Sequence, residues 1–503
     1  MQLHIYNTLT RAKELFVPLM EDPNYKGPKK DFIGFYSCGP TVYRDPTIGN
    51  YRATFTADLI RNVLKISGYK VKAVMNITDV GHLVSDADEG EDKLEKGSRR
   101  EGISAWDVAK KYEKTFKDGM SSLHIDQFDV MPRATDNIPE QIELIKNLEE
   151  KGYTYSLAGD GIYMDTSKVE HYGELMGPNY KKRLADLNAG ERVEMGSKKN
   201  PTDFALRKFS PENEQRQMER ESPRGKGFPG WHIECSAMST KYLGTQFDIH
   251  HGGADHITIH HPNEIAQSEC GFHVHPWVKY WMHNEFLQVD GGKMSKSLGN
   301  AYNLKDIEAK GFSGLDLRYF YFTAQYSSFQ NFTWEQLEAA KNARNNLIKK
   351  MQKLFDAHTK IILDFDFGMS YDVFKDEIES KYVGDVLEDM IAALADDINT
   401  PQLLAIINQS LNSLDKVEEV DMKDLFVAFH RLEKNLLKVG LFDRIGQETV
   451  TIKVPSEITN LADQRVQAKK NKNYGLADDL RKQINDAGRE VKDNKDGYEI
   501  TKS

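Results

Sequence analysis

The chain has 503 residues, a formal net charge of −10 and a mean hydropathy of −0.61, and at roughly 150 residues per domain it predicts about three domains. It contains no run of about eighteen apolar residues and no N-terminal secretion pattern, so we expect a cytoplasmic protein that does not enter a membrane. Its three scattered cysteines exclude a disulfide framework, and its acidic balance excludes a generally adhesive nucleic-acid binder but not a local RNA-binding groove.

The first predicted elements are a strand, a helix and a second strand. Residues 32–42 read as a buried strand, residues 54–64 recur with helical spacing, and residues 71–77 read as the next strand. Such a unit belongs to a parallel sheet, whose ligands bind beyond the carboxyl ends of the strands. We therefore expect Thr47 and Thr78 to lie at a ligand site.

An inserted segment is expected over about 125–205, where residues 141–151 have the pattern of an amphipathic helix. Strand patterns return at 247–250 and 286–289, on either side of a helix that begins near Pro262. The two halves together predict an α/β fold with a Rossmann-like parallel sheet and an insertion.

Beyond Asp316 the pattern becomes almost wholly helical. It predicts a helical bundle from helices over 317–326, 334–355, 382–395, 402–414 and 422–439. A break at 446–455 then precedes a short tail in which basic and acidic residues interleave, and this tail predicts a small C-terminal domain.

A lysine-rich loop over 293–297, Lys-Met-Ser-Lys-Ser, follows a glycine-containing turn. Attack on the α-phosphorus of ATP requires cations placed in advance for the departing pyrophosphate, and the mobile Lys293 and Lys296 suit that task. Upstream, Thr47-Ile48-Gly49-Asn50 opens a helix whose free N–H groups favour phosphate. The loop could instead be a solvated turn, and Thr47 could simply cap the helix. The order of the two motifs along the chain favours a nucleotide site.

Residues with sulfur, nitrogen and carboxylate ligands are expected to converge at one edge of the sheet: Cys38, Cys235, His260 and Glu264. This donor set suits zinc, and a catalytic zinc leaves a position open for substrate. Spacing alone does not choose between His260 and His261, and further histidines at 250, 251 and 256 could bind or line the ATP pocket. A buried cysteine can also be an apolar filler, which fits Cys270 best.

Five segments together resemble the cysteinyl-tRNA synthetase family of class I aminoacyl-tRNA synthetases over nearly the whole chain. They are Phe-Tyr-Ser-Cys-Gly-Pro-Thr-Val-Tyr at 35–43, Asn-Ile-Thr-Asp-Val at 76–80, Gly-Trp-His-Ile-Glu-Cys-Ser-Ala-Met at 230–238, His-His-Pro-Asn-Glu-Ile-Ala-Gln at 260–267, and Lys-Met-Ser-Lys-Ser at 293–297. The last of these resembles the KMSKS signature of the class, and residues 47–50 stand at its HIGH signature.

The resemblance implies ATP-dependent activation of L-cysteine and its transfer to the 3′-terminal adenosine of tRNA(Cys). One Zn²⁺ per chain would be held by Cys38, Cys235, His260 and Glu264, and it is the family resemblance that selects His260. The amino acid would be enclosed by Gly39, Thr78 and Trp231. ATP, with Mg²⁺, would be bound by Thr47, Gly49, Asn50, Asp255, Lys293 and Lys296, of which Thr47, Asn50, Lys293 and Lys296 would be catalytic.

Zinc would allow the enzyme to distinguish cysteine from serine. Serine is nearly isosteric with cysteine, and shape alone discriminates such pairs by roughly 10–200-fold. A thiol loses its proton readily on zinc and binds as a soft anion, whereas an alcohol resists ionisation. We therefore expect the metal to select the substrate, which makes a separate editing site unnecessary.

The pattern and the resemblance together predict a domain division. The first and second halves of the catalytic domain would be residues 1–125 and 206–290, separated by an inserted segment at 126–205. A KMSKS loop and stem-contact region, a tRNA-binding bundle and a small anticodon-side domain would follow at 291–345, 346–445 and 446–503. We expect a monomer. Basic residues of the tail could contact tRNA or could belong to a solvated helix face.

Some positions depart from the family pattern. Thr47 and Asn50 stand where HIGH has histidines, and Arg207 stands where the family commonly has tryptophan. Two other functions remain open. One is a ligase that uses the same activation but joins cysteine to an amino sugar, whose enzymes lack the full tail. The other, suggested by Thr47 and Asn50, is a catalytically degenerate RNA-binding protein.

Overall fold

The computed structural model describes most of the chain, namely residues 1–80, 92–180, 182, 198–210, 217–223, 225–295, 298–358, 380–413, 419–443, 456–471, 473–486, 489–494 and 497–502. The chain divides into two compact units, Met1–Val439 and Gly440–Ser503. Lys296, Ser297 and the break expected at 446–455 lie outside the described residues.

The strands of the first unit are β1 His4–Asn7, β2 Ala12–Leu15, β3 Ile33–Ser37, β4 Val71–Met75, β5 Thr154–Leu157, β6 Gly161–Met164, β7 Phe204–Phe209, β8 Gly227–Pro229, β9 Phe247–Gly253, β10 Val278–Asn284, β11 Leu287–Val289, β12 Gly292–Lys293 and β13 Gln330–Phe332. Its helices are α1 Ile48–Ile66, α2 Lys93–Glu101, α3 Ala105–Ser122, α4 Ile138–Glu150, α5 Trp231–Leu243, α6 His260–Phe272, α7 Leu304–Ala309, α8 Gly314–Phe322, α9 Trp334–His358, α10 Lys381–Ala395, α11 Thr400–Asn412 and α12 Glu419–Leu432.

A parallel four-stranded sheet in the order β10-β9-β3-β4 forms the centre of this unit. All five residues of β3 are buried, as expected for a strand covered on both faces. The chain leaves β3 through α1 toward β4 and leaves β9 through α6 toward β10, which lies on the other side. The direction of winding thus reverses between β3 and β9, and this is where such sheets bind their ligands. The predicted α/β fold is confirmed.

Helix α1 begins with a capping box. The Thr47 hydroxyl accepts a hydrogen bond from the Asn50 backbone N–H, and the Asn50 side chain accepts one from the Thr47 backbone N–H. Ser67 and Gly68 end the helix, and Gly68 has a φ of +89° that suits glycine. The helix is buried along most of its length, so it packs as a core helix rather than on the surface.

A second sheet, antiparallel and ordered β5-β6-β7-β8, lies in the region of the expected insertion. It packs with α4 and α6 around an apolar cluster that includes Leu144, Leu148, Ile162 and Leu206. The expected boundary between residues 205 and 206 falls inside β7, because β7 and β8 continue this sheet.

Strand β10 was not predicted from the sequence. Its residues Val278–Asn284 are nearly all buried, so the strand lacks the apolar and polar alternation that marks a half-exposed strand. The strand was expected after the helix at 286–289, but this segment forms the short β11 of a separate sheet instead.

The predicted helical bundle is confirmed and is formed by α9 to α12. The described residues of the second unit form two helices, α13 Ser456–Lys470 and α14 Tyr474–Asp486, and the hairpin of β14 Arg489–Asn494 and β15 Gly497–Lys502. Its core includes Ile458, Ala462, Ile484 and Val491. Among the described residues, no helix combines the length and apolar character needed to cross a membrane.

Candidate functional site

The candidate metal ligands come from three elements that meet at the carboxyl edge of the central sheet. Cys38 directly follows β3, and its backbone N–H donates to the carbonyl of His251 on the neighbouring β9 at 3.1 Å. Cys235 lies in the second turn of α5, while His260 and Glu264 lie one turn apart at the start of α6. The spacing of four residues puts the imidazole and the carboxylate on one face of that helix.

Ligand atoms of Cys38, Cys235, His260 and Glu264 lie within 4.8 Å of one another. Nε2 of His260 is 2.8 Å from Oε1 of Glu264 and 3.6 Å from Sγ of Cys235. Cys38 is partly buried and the other three are buried. The four side chains that sequence reasoning selected are therefore brought together.

A second grouping shares two of these residues. Ligand atoms of Cys38, His250, His261 and Glu264 also lie within 4.8 Å of one another. Nε2 of His261 is 3.4 Å from Sγ of Cys38 but 4.0 Å from Oε1 of Glu264. Glu264 is thus closer to His260 than to His261, while its other oxygen, Oε2, lies 2.8 Å from Nε2 of His250.

The electrostatics of the cluster favour charged ligands at specific positions. Burial opposes ionisation of Glu264, but His260 and His250 outweigh it and hold the pKa of this carboxyl below its usual value. Contact with Cys38 lowers the pKa of Cys235 to about 6 against the effect of burial. Cys235 and Glu264 are therefore suited to act as anionic ligands at neutral pH.

Each candidate histidine lies within hydrogen-bonding distance of another histidine. Nδ1 of His260 lies 2.7 Å from Nδ1 of His232, and Nδ1 of His261 lies 2.7 Å from Nε2 of His283. Such partners orient the imidazoles that bind metals. Two sulfurs, an imidazole and a carboxylate in a buried cluster fit zinc better than a hard cation such as magnesium.

Of the residues expected around the amino acid, Trp231 and Gly39 adjoin this cluster, and Thr78 contacts Glu234, the neighbour of Cys235 in the chain. The Trp231 ring stacks on the His260 ring with centroids 4.2 Å apart. The Thr78 hydroxyl is buried and donates to Oε2 of Glu234 at 3.0 Å. Gly39 approaches the neighbouring chain so closely that a Cβ there would lie 1.6 Å from the carbonyl oxygen of Asn76, so the position requires glycine.

A cleft of about 280 Å³ opens beside the cluster and joins it to the candidate ATP residues. Residues from both predicted sites line it: Cys38, Gly39, Thr47, Gly49, Asn50 and Asp255. Asp255 lies exposed on a short turn after β9. The candidate metal and nucleotide residues therefore meet in this cleft through Cys38.

The lysine-rich loop meets the start of α1. The Ile48 N–H donates to the carbonyl of Tyr302 at 2.9 Å, and a Cβ at Gly49 would lie 3.6 Å from Sδ of Met294. Lys293 is exposed at the end of β12. The Asn300 side chain donates a hydrogen bond to the Lys293 carbonyl and accepts one from the Ser295 N–H. The two motifs are therefore neighbours, although about 240 residues separate them in sequence; Lys296 lies outside the described residues.

Sequence reasoning missed three buried residues at the site. Glu234 contacts Thr78, His232 backs His260, and His283 backs His261. The first two lie inside the segment 230–238 and could have been suspected from it. His283 lies on the unpredicted strand β10, so the sequence offered no signal for it.

Comparison with known proteins identifies relatives over nearly the whole chain. Residues 25–342 match the family described as the tRNA synthetases class I (C) catalytic domain. The chain is 40% identical over 497 residues to the cysteine–tRNA ligase of Treponema denticola, covering 97% of each chain. It is 41% identical over 503 residues to cysteine–tRNA ligase 1 of Burkholderia lata, covering 99% of this chain and 97% of that one.

A solved structure supports the fold at lower identity. The methionyl-tRNA synthetase of Mycobacterium tuberculosis, in complex with methionyl-adenylate, superimposes with a TM-score of 0.56 at 14% identity and covers 83% of this chain and 94% of that one. From the match at residues 25–342 and the full-length relatives, the chain belongs to the cysteine–tRNA ligase family of class I tRNA synthetases.

Proposed function

We propose that this protein activates L-cysteine with ATP and transfers it to the 3′-terminal adenosine of tRNA(Cys). The observation that supports this most is the shared cleft. Cys38, which belongs to the cluster with Cys235, His260 and Glu264, lines the same cleft as Thr47, Gly49, Asn50 and Asp255.

In the first step, a carboxylate oxygen of cysteine attacks the α-phosphorus of ATP, and pyrophosphate leaves. Thr47, Gly49 and Asn50 at the start of α1 line the cleft and bring the positive end of the helix dipole to it, which suits the phosphates, although the Ile48 and Asn50 N–H groups already donate to Tyr302 and Thr47. Lys293 supplies a mobile positive charge for the departing pyrophosphate, and we assign the same role to Lys296. ATP enters with Mg²⁺.

In the second step, the terminal ribose hydroxyl attacks the activated carbonyl and AMP leaves. Gly39, Thr78 and Trp231 hold the amino acid at the edge of the sheet during both steps. Positioning of this kind is a large part of catalysis by an enzyme that must bring three substrates together.

We propose that one zinc ion per chain is held by Cys38, Cys235, His260 and Glu264. The chemistry that zinc supplies when bound is a preference for a thiolate over an alcohol. Of the residues proposed to hold the amino acid, Trp231 stacks on the His260 ring and Gly39 follows Cys38, so both adjoin the proposed ligands. A monomer in the cytoplasm, with the bundle and tail contacting tRNA, completes the proposal.

The deciding experiment measures cysteine-dependent exchange of pyrophosphate into ATP, and then attachment of cysteine to tRNA(Cys), each also with serine. We expect both reactions with cysteine and strong discrimination against serine. Equal activation of serine would contradict selection by zinc. Exchange without charging of tRNA would favour ligation of cysteine to an amino sugar, and the absence of both reactions would favour a degenerate RNA-binding protein.

A further inference from the structure

A cavity of about 600 Å³ lies in the first unit, between the end of α1 and the helices α10 and α12 of the bundle. None of its lining residues also lines the cleft beside the candidate metal ligands. The volume is in the range of cavities that hold small organic molecules. The proposed activity assigns this cavity no role.

One wall of the cavity is apolar. Leu387, Met390, Ile391 and Leu394 follow one face of α10, and Ile66 at the end of α1 adds to them. Of the α10 residues, Met390 and Leu394 are almost fully buried. This wall suits the flat or branched apolar body of a ligand.

A buried polar group lines the same cavity. Asn62 of α1 is 3% exposed, and its Nδ2 is buried without a hydrogen-bond partner among the described residues. Buried amide donors are nearly always bonded, because water is no longer available to them. A ligand with an acceptor oxygen would satisfy this donor.

The lining carries a strong positive excess. Its described residues include five cationic side chains, Lys65, Lys70, Arg431, Lys434 and Lys438, against the single acidic Asp126. Lys70 pairs with Asp31 outside the cavity, and Lys438 pairs with Asp126. Lys65 and Lys434 are exposed at the opening, and Arg431 is buried.

The cationic side chains also affect the neighbouring His430. Burial, together with Lys434 and Arg431, lowers the pKa of His430. This local excess stands against a formal net charge of −10 for the whole chain. A positively charged patch on a protein of negative net charge favours encounters with anions at that patch.

We infer that this cavity is a binding site for a small organic anion that carries a phosphate or carboxylate group on an apolar or aromatic body. The head group meets Lys65, Lys434 and Arg431, the body lies against α10, and Asn62 donates to an acceptor on the ligand. The site is independent of the proposed activity and would exist even if that activity were different.

The experiment titrates the full-length protein with three fluorescent probes, 1-naphthyl phosphate, 1-naphthoate and the uncharged 1-naphthalenemethanol. We expect both anions to bind and the alcohol to bind at least tenfold more weakly. The tighter of the two anions identifies the preferred head group. Lack of anion binding at millimolar concentration, or equal binding of the alcohol, would overturn the inference.

Variants locate the probe. Lys434→Glu should weaken anion binding at least tenfold, and Asn62→Leu should weaken it about fivefold. Lys110→Glu is the matched control, because Lys110 is exposed on α3 away from the cavity, and it should change binding less than twofold. Binding elsewhere, including the nucleotide cleft, would leave the Lys434→Glu and Lys110→Glu proteins equal and would contradict the site. Thermal unfolding of each variant checks that it is folded.

Discussion

Oδ2 of Asp58 lies 3.1 Å from Nη2 of Arg318, and neither side chain is exposed. Asp58 belongs to α1, whose first turn lines the cleft, and Arg318 belongs to α8 after the lysine-rich loop. Arg318 also donates to the carbonyls of Leu436 and Leu437 at the end of the bundle. Through Arg318, the helix that lines the cleft is therefore joined to α8 and to the end of the helical bundle.

Replacing Asp58 with asparagine should be strongly destabilising. It would leave Arg318 and Arg61 buried without their counter-charge, and breaking such a pair costs about 3–5 kcal/mol. Asp31→Asn is the control, because its pair with Lys70 is exposed and should contribute less than about 1 kcal/mol. Urea unfolding at pH 7 measures both; equal effects of the two variants would contradict the role of Asp58.

The same ion pair predicts a pH dependence. Burial opposes the charged form of Asp58, but Arg318, Lys438 and Arg61 outweigh it and lower its pKa in the folded state. Its stabilisation is therefore complete above the unfolded-state pKa, about 4, and is lost as the pH falls through the lower folded-state pKa. Between pH 5 and about pH 3, the free energy of unfolding should fall less steeply in Asp58→Asn than in the unchanged protein.

Cys235→Ser should reduce zinc retention and raise the KM for cysteine by about 100-fold, because an alcohol is a far poorer zinc ligand than a thiolate. Cys270→Ser is matched to it, since Cys270 is buried but lies outside both candidate ligand groups. Elemental analysis and pyrophosphate exchange measure the two effects. Unchanged zinc content in Cys235→Ser would remove this residue from the ligand set.

The neighbouring histidines should differ in their effect on zinc. His260→Ala should lose most of the bound metal, because Nε2 of His260 lies closer to Glu264 than that of His261 does. His261→Ala should retain the metal but bind it with roughly tenfold lower affinity, as expected of a group beside a ligand. Metal titration with a chelator decides; loss of zinc in His261→Ala alone would reverse the assignment.

Lys293→Ala should slow adenylate formation by about 10²–10³-fold, since a charge aimed at a developing anion acts mainly in the transition state. The binding of cysteine should change little. Lys310→Ala serves as the control, because Lys310 is exposed on the Trp334 ring beyond the loop. Single-turnover measurements separate the two, and equal rates in both variants would count against Lys293.

Deletion of residues 446–503 should weaken charging of tRNA while adenylate formation continues. The second compact unit, which begins at Gly440, has its own core, and the cleft that contains Thr47 and Asp255 is lined wholly by residues of the first unit. Pyrophosphate exchange and tRNA charging, measured on the same preparation, check this. A parallel loss of both reactions would show that the tail supports the catalytic unit itself.

Much of the site could be predicted from the sequence because its chemistry is carried by compact segments. The strand before Cys38, the helix after Thr47, and the His260 and Glu264 pair on one helix face each follow from local periodicity. Local patterns also predicted the parallel sheet and the bundle. They did not predict β10, because Lys279, His283 and Asn284 interrupt its apolar residues, so the segment shows neither regular alternation nor the continuous apolar run that marks β3.

The sequence by itself determined which residue types could bind a soft metal and a triphosphate, because donor chemistry is a property of side chains. Only the tertiary structure brought Cys38 and Cys235 to within reach of one ion, joined Tyr302 to Ile48, and placed His283 behind His261. Contacts between distant segments depend on how the sheet winds and on what each strand packs against. These relationships arise when the whole chain is packed, and no local pattern encodes them.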